Sequence, residues 1–225
     1  MAPPVVLLHG FATTAARTWG ETGWIDLLAD AGREVVAVDL LGHGEAPRPH
    51  DPQAYAGLED HVAATIGDGP YDAVGFSLGA RTLLTLATRS PGLFERIVVG
   101  GVGAGLLTDD TAMRERVAAA LMGQAGDDVV ARHFEALASE PGSDRDALLA
   151  CISHARPPLD PADLALVDAR CLVVIGDRDD QGPPEPLAEA LPDARCVVLG
   201  GVDHFALPRS FGFIDAALEF LDAAP

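Results

Sequence analysis

One serine of this 225-residue chain is placed for chemistry by its immediate neighbours. Residues 75–79 read Gly-Phe-Ser-Leu-Gly, between a short apolar run and a segment with helical periodicity. In that context a sharp turn from strand to helix lifts the hydroxyl of Ser77 above a sheet, and glycine is needed where neighbouring backbone crowds the turn. The following helix N-terminus favours negative charge there. The pattern predicts Ser77 to be a nucleophile, with a merely structural tight turn as the alternative.

A nucleophilic serine needs two further side chains. Its hydroxyl is weakly reactive near neutral pH, so a histidine must accept the proton and a carboxylate must orient that histidine. His204 follows an apolar run and lies in the last loop, where it can project over the edge of a sheet, so we expect it to be the base. For the other histidines, in turns, on helix faces or beside prolines, we expect structural roles: His9, His43, His50, His61, His133 and His154.

Short apolar runs separated by helical segments must position these side chains. The runs do not alternate polar with apolar residues, which is typical of parallel strands buried on both faces. The order strand, helix, strand predicts an α/β fold with a doubly wound, mostly parallel sheet of about six strands. The six runs are residues 5–8, 35–38, 73–74, 97–99, 172–175 and 196–199.

One interval interrupts this alternation. Residues 106–166 contain only helical patterns. Ser143 and Asp146 have the spacing of a capping box, and Asp160 with the proline after it is typical of a helix N-cap and first turn. We expect a core of residues 1–105 and 167–225, carrying a small helical cap insertion. Insertions at the carboxyl ends of strands usually roof a binding crevice, although a packing appendage is the alternative.

Five motifs follow one another in the order found in the α/β-hydrolases. They are His-Gly-Phe at 9–11, Asp-Leu-Leu-Gly-His-Gly at 39–44, the serine turn, Gly-Asp-Arg-Asp at 176–179 and Val-Asp-His-Phe at 202–205. The chain resembles that family over nearly its whole length. The resemblance implies a serine, aspartate and histidine triad, with Asp179 as the acid because the pattern places it three residues after Gly176. Asp177 and Asp180 remain alternatives.

The resemblance also implies where an oxyanion would bind. The two donors would be the backbone N–H groups of Leu78, after the nucleophile, and Phe11, after the first motif. Of the two tryptophans nearby, Trp24 lies among apolar residues and is expected in the core. Trp19 could line the substrate pocket, with packing as its alternative.

The identity of the nucleophile limits the reaction. A serine rather than an aspartate at position 77 argues against the dehalogenase and epoxide-hydrolase branches, and favours cleavage of a small carboxylic ester, lactone or thioester through an acyl-enzyme. Arg81 either pairs with a nearby acid or binds a substrate carboxylate, because Gly-Ala-Arg is similar to the Gly-Gly-Arg of the menaquinone-pathway lyase that eliminates pyruvate. Phe76 replaces the tyrosine expected in that lyase. A non-catalytic ligand-binding protein is the third reading.

Composition restricts the partners. With 34 acidic residues against 15 Lys and Arg, the chain has a net charge of −19, which disfavours nucleic acid and anionic membranes. Its three cysteines lack disulfide or zinc spacing, and no signal peptide precedes the first run, so a cytoplasmic location is expected. We expect a small-molecule acyl substrate and no organic cofactor or metal; the oligomeric state is open.

Overall fold

The computed structural model describes residues 2–224. All six predicted strands form, and they build one parallel sheet in the order β2-β1-β3-β4-β5-β6. The prediction of a doubly wound α/β fold is therefore confirmed. The strands are β1 Val5–Leu8, β2 Val35–Val38, β3 Tyr71–Phe76, β4 Phe94–Gly100, β5 Arg170–Gly176 and β6 Ala194–Leu199.

Helices cover both faces of this sheet. Each face packs a separate buried cluster, and residues 5–8 and 71–76 contribute to both because their side chains point alternately to either side. Within the described residues, no helix is long and apolar enough to cross a membrane. The helices are α1 Trp24–Asp30, α2 Leu58–Ile66, α3 Leu78–Arg89, α4 Thr111–Leu121, α5 Val129–Ala138, α6 Arg145–Ser153, α7 Pro161–Leu164, α8 Glu185–Glu189 and α9 Phe211–Phe220.

The interval between β4 and β5 contains helices α4 to α7. Val117 of α4 and Leu148 of α6 are buried in a small cluster that includes Ala12, from the loop after β1. Cys151 of α6 and Leu164 of α7 are instead buried in one of the two clusters that cover the sheet. The interval thus has one part above the loops of the carboxyl edge and another part packed onto the sheet itself.

Two helix starts in this interval test the predicted caps. Asp160 accepts a hydrogen bond from the Ala162 N–H at the start of α7, as its sequence predicts. The predicted capping box of α6 is wrong by one residue, because Asp144 caps the helix by accepting from the Ala147 N–H. The Ser143 hydroxyl donates to a carbonyl of the preceding helix.

Candidate active site

Ser77 stands on a strained turn between β3 and α3. Its φ of 53° and ψ of −111° lie outside the regions that non-glycine residues normally occupy. A Cβ at position 75 would lie 2.8 Å from the Cα of Ala80, and one at position 79 would collide with the carbonyl of Leu8. The two glycines of the motif are therefore needed because strand and helix backbones meet here, as the sequence indicates.

Three predicted residues form a continuous hydrogen-bonded chain. The hydroxyl Oγ of Ser77 lies 3.1 Å from His204 Nε2, and His204 Nδ1 lies 2.8 Å from Asp179 Oδ2. The Asp179 side chain is 1% exposed, and its other oxygen accepts from the Gln181 N–H at 3.0 Å. A carboxylate at Nδ1 keeps the ring proton there, which leaves Nε2 free to accept the serine proton.

Close packing of two loops brings the acid and the base together. A Cβ at Gly176, the last residue of β5, would collide with the carbonyl of Val202, so glycine lets the histidine loop lie against the strand end. Asp177 accepts a hydrogen bond from the Gly201 N–H at 2.7 Å and so joins the same two loops. Asp180 is exposed. Of the three candidate carboxylates, the structure places Asp179 beside the histidine.

The predicted oxyanion donors lie next to the serine. Phe11 and Leu78 line the same cavity as Ser77, and neither backbone N–H has an acceptor within residues 2–224. The residue after Phe11, Ala12, has a φ of 58°, and its N–H donates to His43 Nε2 at 3.1 Å. This bond fixes the backbone of the loop that carries the Phe11 N–H.

Two buried histidines hold the loops around this donor. His43 Nδ1 donates to the Leu41 carbonyl at 3.0 Å, while His9 Nε2 accepts from the Leu40 N–H at 3.0 Å. Burial is the main cause that lowers the pKa of both, and it brings that of His43 to about 3. Both rings are therefore neutral near pH 7 and act as braces, as expected from their glycine-flanked turns.

Two cavities meet at Ser77 and His204. The first, of about 430 Å³, lies beneath α4 to α6 and is largely apolar, and the second, of about 360 Å³, is lined by hydroxyl and charged side chains such as Thr13, Thr18 and Glu21. A substrate reaching the serine therefore has room on two sides. The apolar lining of the first cavity includes Val102, Leu106, Met113, Val117, Phe134 and Ile152.

Trp19 does not line either cavity. It is completely buried and packs edge-on against Trp24, with ring centroids 5.1 Å apart. The expectation that it contacts substrate is corrected to a packing role, because the two indoles fill the core beneath α1 and leave no face for a ligand.

Arg81 does line the first cavity, one helical turn after the serine. Its backbone N–H donates to the Ser77 carbonyl at 3.0 Å, and its guanidinium donates to the carbonyl of Pro157. Within residues 2–224, no carboxylate lies within 4 Å of it, so the ion pair that was one of its two alternatives is not formed.

Three further residues at the site have no counterpart in the predicted set. Phe134 and Phe205 line both cavities, and the ring of Phe205 stacks on His133 of α5 at 3.7 Å. Arg156, in the loop after α6, lines the first cavity. The position of Phe205 directly after His204 was a usable signal, whereas the helical periodicity of Phe134 does not reveal which face meets the serine.

No group of three or more metal-ligating side chains is assembled within the described residues.

Known proteins resemble this chain in parts of its sequence. A pimeloyl-[acyl-carrier protein] methyl ester esterase of Neisseria meningitidis is 44% identical over 78 residues, which cover 34% of this chain and 29% of that protein. The sn-1-specific diacylglycerol lipase ABHD11 of Mus musculus is 33% identical over 104 residues, which cover 43% of this chain and 32% of the lipase. The chain thus spans less than a third of the length of either relative.

Solved structures match over the full chain. NosK from Streptomyces actuosus superposes with a TM-score of 0.77 at 22% identity, covering 100% of this chain and 99% of NosK. The enol-lactonase of Burkholderia xenovorans LB400 gives a TM-score of 0.75 at 20% identity, covering 99% and 92%. At this identity the likeness concerns the fold. A sequence profile of the alpha/beta hydrolase family matches residues 5–221, and the chain therefore belongs to that family.

Proposed function

We propose that this protein is a serine hydrolase that cleaves a small carboxylic ester, lactone or thioester through an acyl-enzyme. The observation that carries the proposal is the chain of contacts from Asp179 to His204 to Ser77, at 2.8 and 3.1 Å. A hydroxyl, an imidazole and a carboxylate in this order activate an alcohol for attack on a carbonyl carbon.

In the first half of the reaction, Ser77 Oγ attacks the substrate carbonyl while His204 Nε2 takes the hydroxyl proton. The negative charge that develops on the carbonyl oxygen is stabilised by the N–H groups of Phe11 and Leu78, which have no acceptor in the described chain. As the tetrahedral intermediate collapses, His204 returns the proton to the departing alcohol or thiol. In a lactone the departing alcohol stays attached to the acyl group.

In the second half, a water molecule loses its proton to His204 and attacks the serine ester. His204 returns that proton to Ser77 Oγ as the second tetrahedral intermediate collapses, which releases the acid and restores the free hydroxyl. Asp179 stabilises the positively charged imidazole in both halves, and its own buried position keeps it directed at Nδ1. The similar proteins include a methyl ester esterase, a diacylglycerol lipase and an enol-lactonase, whose activities are compatible with this class of substrate.

The test is hydrolysis of short p-nitrophenyl esters by the purified protein and by Ser77→Ala. We expect Ser77→Ala to lower kcat by at least about 10⁴-fold, because the alcohol that attacks is lost. Labelling of Ser77 by a fluorophosphonate is the second readout, with Ser90→Ala as the matched serine control. Retained ester turnover in Ser77→Ala would refute the mechanism. Lack of both turnover and labelling would favour a ligand-binding protein.

A lyase that eliminates pyruvate is the second candidate, because Arg81 lines the cavity that contains Ser77 and carries no carboxylate partner there. The same serine and histidine would then abstract a proton from an anionic substrate. This reading requires poor ester hydrolysis and a large loss of lyase activity in Arg81→Ala. If Arg81→Ala left the turnover of the lyase substrate unchanged, the lyase function would be excluded.

The proposed partner is a small acyl molecule rather than a macromolecule, and we place the reaction in the cytoplasm. Cys151, Cys171 and Cys196 are free thiols in the structure, which is compatible with a reducing compartment. Burial raises the pKa of Cys151, and that of Cys171 to about 12, so these two thiols are not nucleophiles near neutral pH.

A further inference from the structure

Two arginines are exceptional among the cations of this acidic chain. All 15 positive residues are arginines, and eight of them have a carboxylate within 4 Å among the described residues. Of the remaining seven, five are exposed to solvent. Arg81 and Arg156 are the two in the described chain that are half-buried and yet have no carboxylate partner. With 34 acidic residues available, such pairing is otherwise easy to achieve.

Both guanidiniums face open space. Arg81 and Arg156 line the 430 Å³ cavity that contains Ser77 and also an outer cavity of about 290 Å³, so they stand in the wall between the two. Arg156 bonds to the Cys151 and His154 carbonyls at 3.2 and 3.4 Å, and Arg81 bonds to the Pro157 carbonyl. These neutral acceptors orient the two side chains and leave their charge unneutralised.

Carboxylates line both cavities, but among the described residues none lies within 4 Å of Arg81 or Arg156. Asp110 bonds to Arg114 at 2.6 Å, and Asp109 accepts from the Thr111 N–H at 2.8 Å. Glu59, Asp160 and Asp163 line the outer cavity, and within residues 2–224 none of them pairs with either arginine. Burial is the main cause that lowers the pKa of Arg81, and the neighbouring charge of Arg156 adds to it. An anion between the two side chains would relieve this repulsion.

We propose that Arg81 and Arg156 form a subsite for a free carboxylate at the far end of the acyl group. The inference rests on the proposed hydrolase function and names its substrate class: monoesters of dicarboxylic acids. The methylene chain of such an acyl group suits the apolar lining that shares this cavity with Ser77. The second cavity, which Thr13, Thr18 and Glu21 line together with aromatic side chains, would hold the departing alcohol.

The first experiment measures binding without turnover. Calorimetry of the Ser77→Ala protein is carried out with monomethyl glutarate and with its neutral primary amide. We expect the acid to bind at least tenfold more tightly than the amide. Adding Arg81→Gln or Arg156→Gln to the Ser77→Ala protein should lower its affinity for the acid by at least tenfold, because charged hydrogen bonds are lost. Arg195→Gln, an exposed arginine on β6, is the control and should bind like the parent.

The second experiment measures selectivity in the active protein. The ratio of kcat/KM for p-nitrophenyl hemiglutarate to that for p-nitrophenyl pentanoate should fall at least tenfold in Arg81→Gln. The fall should come mainly from a higher KM for the hemiglutarate ester, and Arg81→Lys should retain part of the ratio. Thermal melting reports whether the variants remain folded, because Arg81 also holds the loop at Pro157.

The outcomes separate the two proposals. Equal affinity for acid and amide, no detectable binding of the acid, or unchanged affinity in both arginine variants would overturn the carboxylate subsite. The Ser77→Ala protein could instead bind the acid more tightly than the amide while the parent protein hydrolyses neither aryl ester. In that case the subsite stands and the hydrolase function fails.

Discussion

His43 and His204 lie in the same layer of loops above the carboxyl edge of the sheet, yet their ring nitrogens face different partners. His43 bonds to the Leu41 carbonyl and the Ala12 N–H, and burial lowers its pKa to about 3. His204 bonds to the carboxylate of Asp179 and the hydroxyl of Ser77, and it borders two cavities.

The difference shows how one side-chain type serves as brace or base. A carbonyl in a dry site cannot compensate a positive imidazole, so His43 stays neutral and holds backbone in place. A carboxylate at Nδ1 can compensate that charge, so His204 is able to take a proton from its neighbour. Partners and access to the cavities distinguish the two histidines, and three predictions test the distinction. A fourth concerns the buried Trp19.

The largest expected effect belongs to Asp179→Asn. The amide can present its N–H to Nδ1, which moves the ring proton to Nε2 and prevents it from accepting the proton of Ser77. We expect kcat for short esters to fall by about 10³–10⁴-fold with the fold retained. Asp177→Asn is the matched control and should lose less than about tenfold, because its oxygen bonds only to the Gly201 N–H. Equal losses would contradict the assignment of Asp179.

His43→Ala tests the brace. It removes the acceptor of the Ala12 N–H and leaves a cavity, so the free energy of unfolding should fall by about 2–4 kcal/mol. Displacement of the Phe11 N–H should also lower kcat by about 10- to 100-fold. Urea denaturation and ester kinetics give both values. A loss of kcat as large as that of Asp179→Asn, with unchanged stability, would mean that His43 takes part in the chemistry.

The same brace gives a pH dependence of stability. The pKa of His43 is about 3 in the folded chain and about 6.5 when unfolded, so between these values the unfolded state binds a proton that the folded state refuses. The contribution of His43 to stability is complete above pH 6.5. It is lost as the pH falls, by up to about 1.4 kcal/mol per unit.

His43→Gln removes this titration and keeps an acceptor for the Ala12 N–H. Urea denaturation at pH 7, 6 and 5 should show the stability advantage of the parent shrinking as the pH falls. An advantage that stays constant over this range would contradict a neutral, buried His43.

Trp19→Phe is expected to have the smallest effect. The indole Nε1 is buried without a partner in the described chain, so phenylalanine removes an unsatisfied donor while losing some packing against Trp24. We expect the stability to change by less than about 2 kcal/mol and the KM for short esters by less than twofold. A KM that rises more than threefold would return Trp19 to the substrate pocket.

The accuracy of the sequence-based predictions differs between elements. The central strands were recognisable because a parallel strand covered on both faces needs an uninterrupted apolar run, and β1 and β3 are buried along their whole length. The edge strands β2 and β6 have equally apolar runs but are partly exposed. The serine turn was recognisable because crowded backbone admits only glycine at positions 75 and 79. The cap of α6 was misplaced by one residue, because adjacent Ser143 and Asp144 are both suitable caps.

The surroundings of the site were harder to predict. Trp19 follows the loop of Phe11 in sequence, yet it is completely buried and packs against Trp24 of α1. Arg156 is 75 residues from Arg81 along the chain and no motif joins them, but they share a cavity wall. Such pairings depend on how α3 and the loop after α6 pack, and a one-dimensional pattern does not specify that packing.

The sequence by itself determined which groups are candidates for the chemistry and the order of the elements that bear them, because local backbone crowding and two-sided burial each restrict the residue types allowed. Tertiary structure alone separated Asp179, which the sequence favoured, from its alternatives Asp177 and Asp180: Asp179 bonds to His204, Asp177 bonds to the Gly201 N–H, and Asp180 is exposed. It also decided which arginines remain without a carboxylate, since that depends on distances between side chains far apart in the chain.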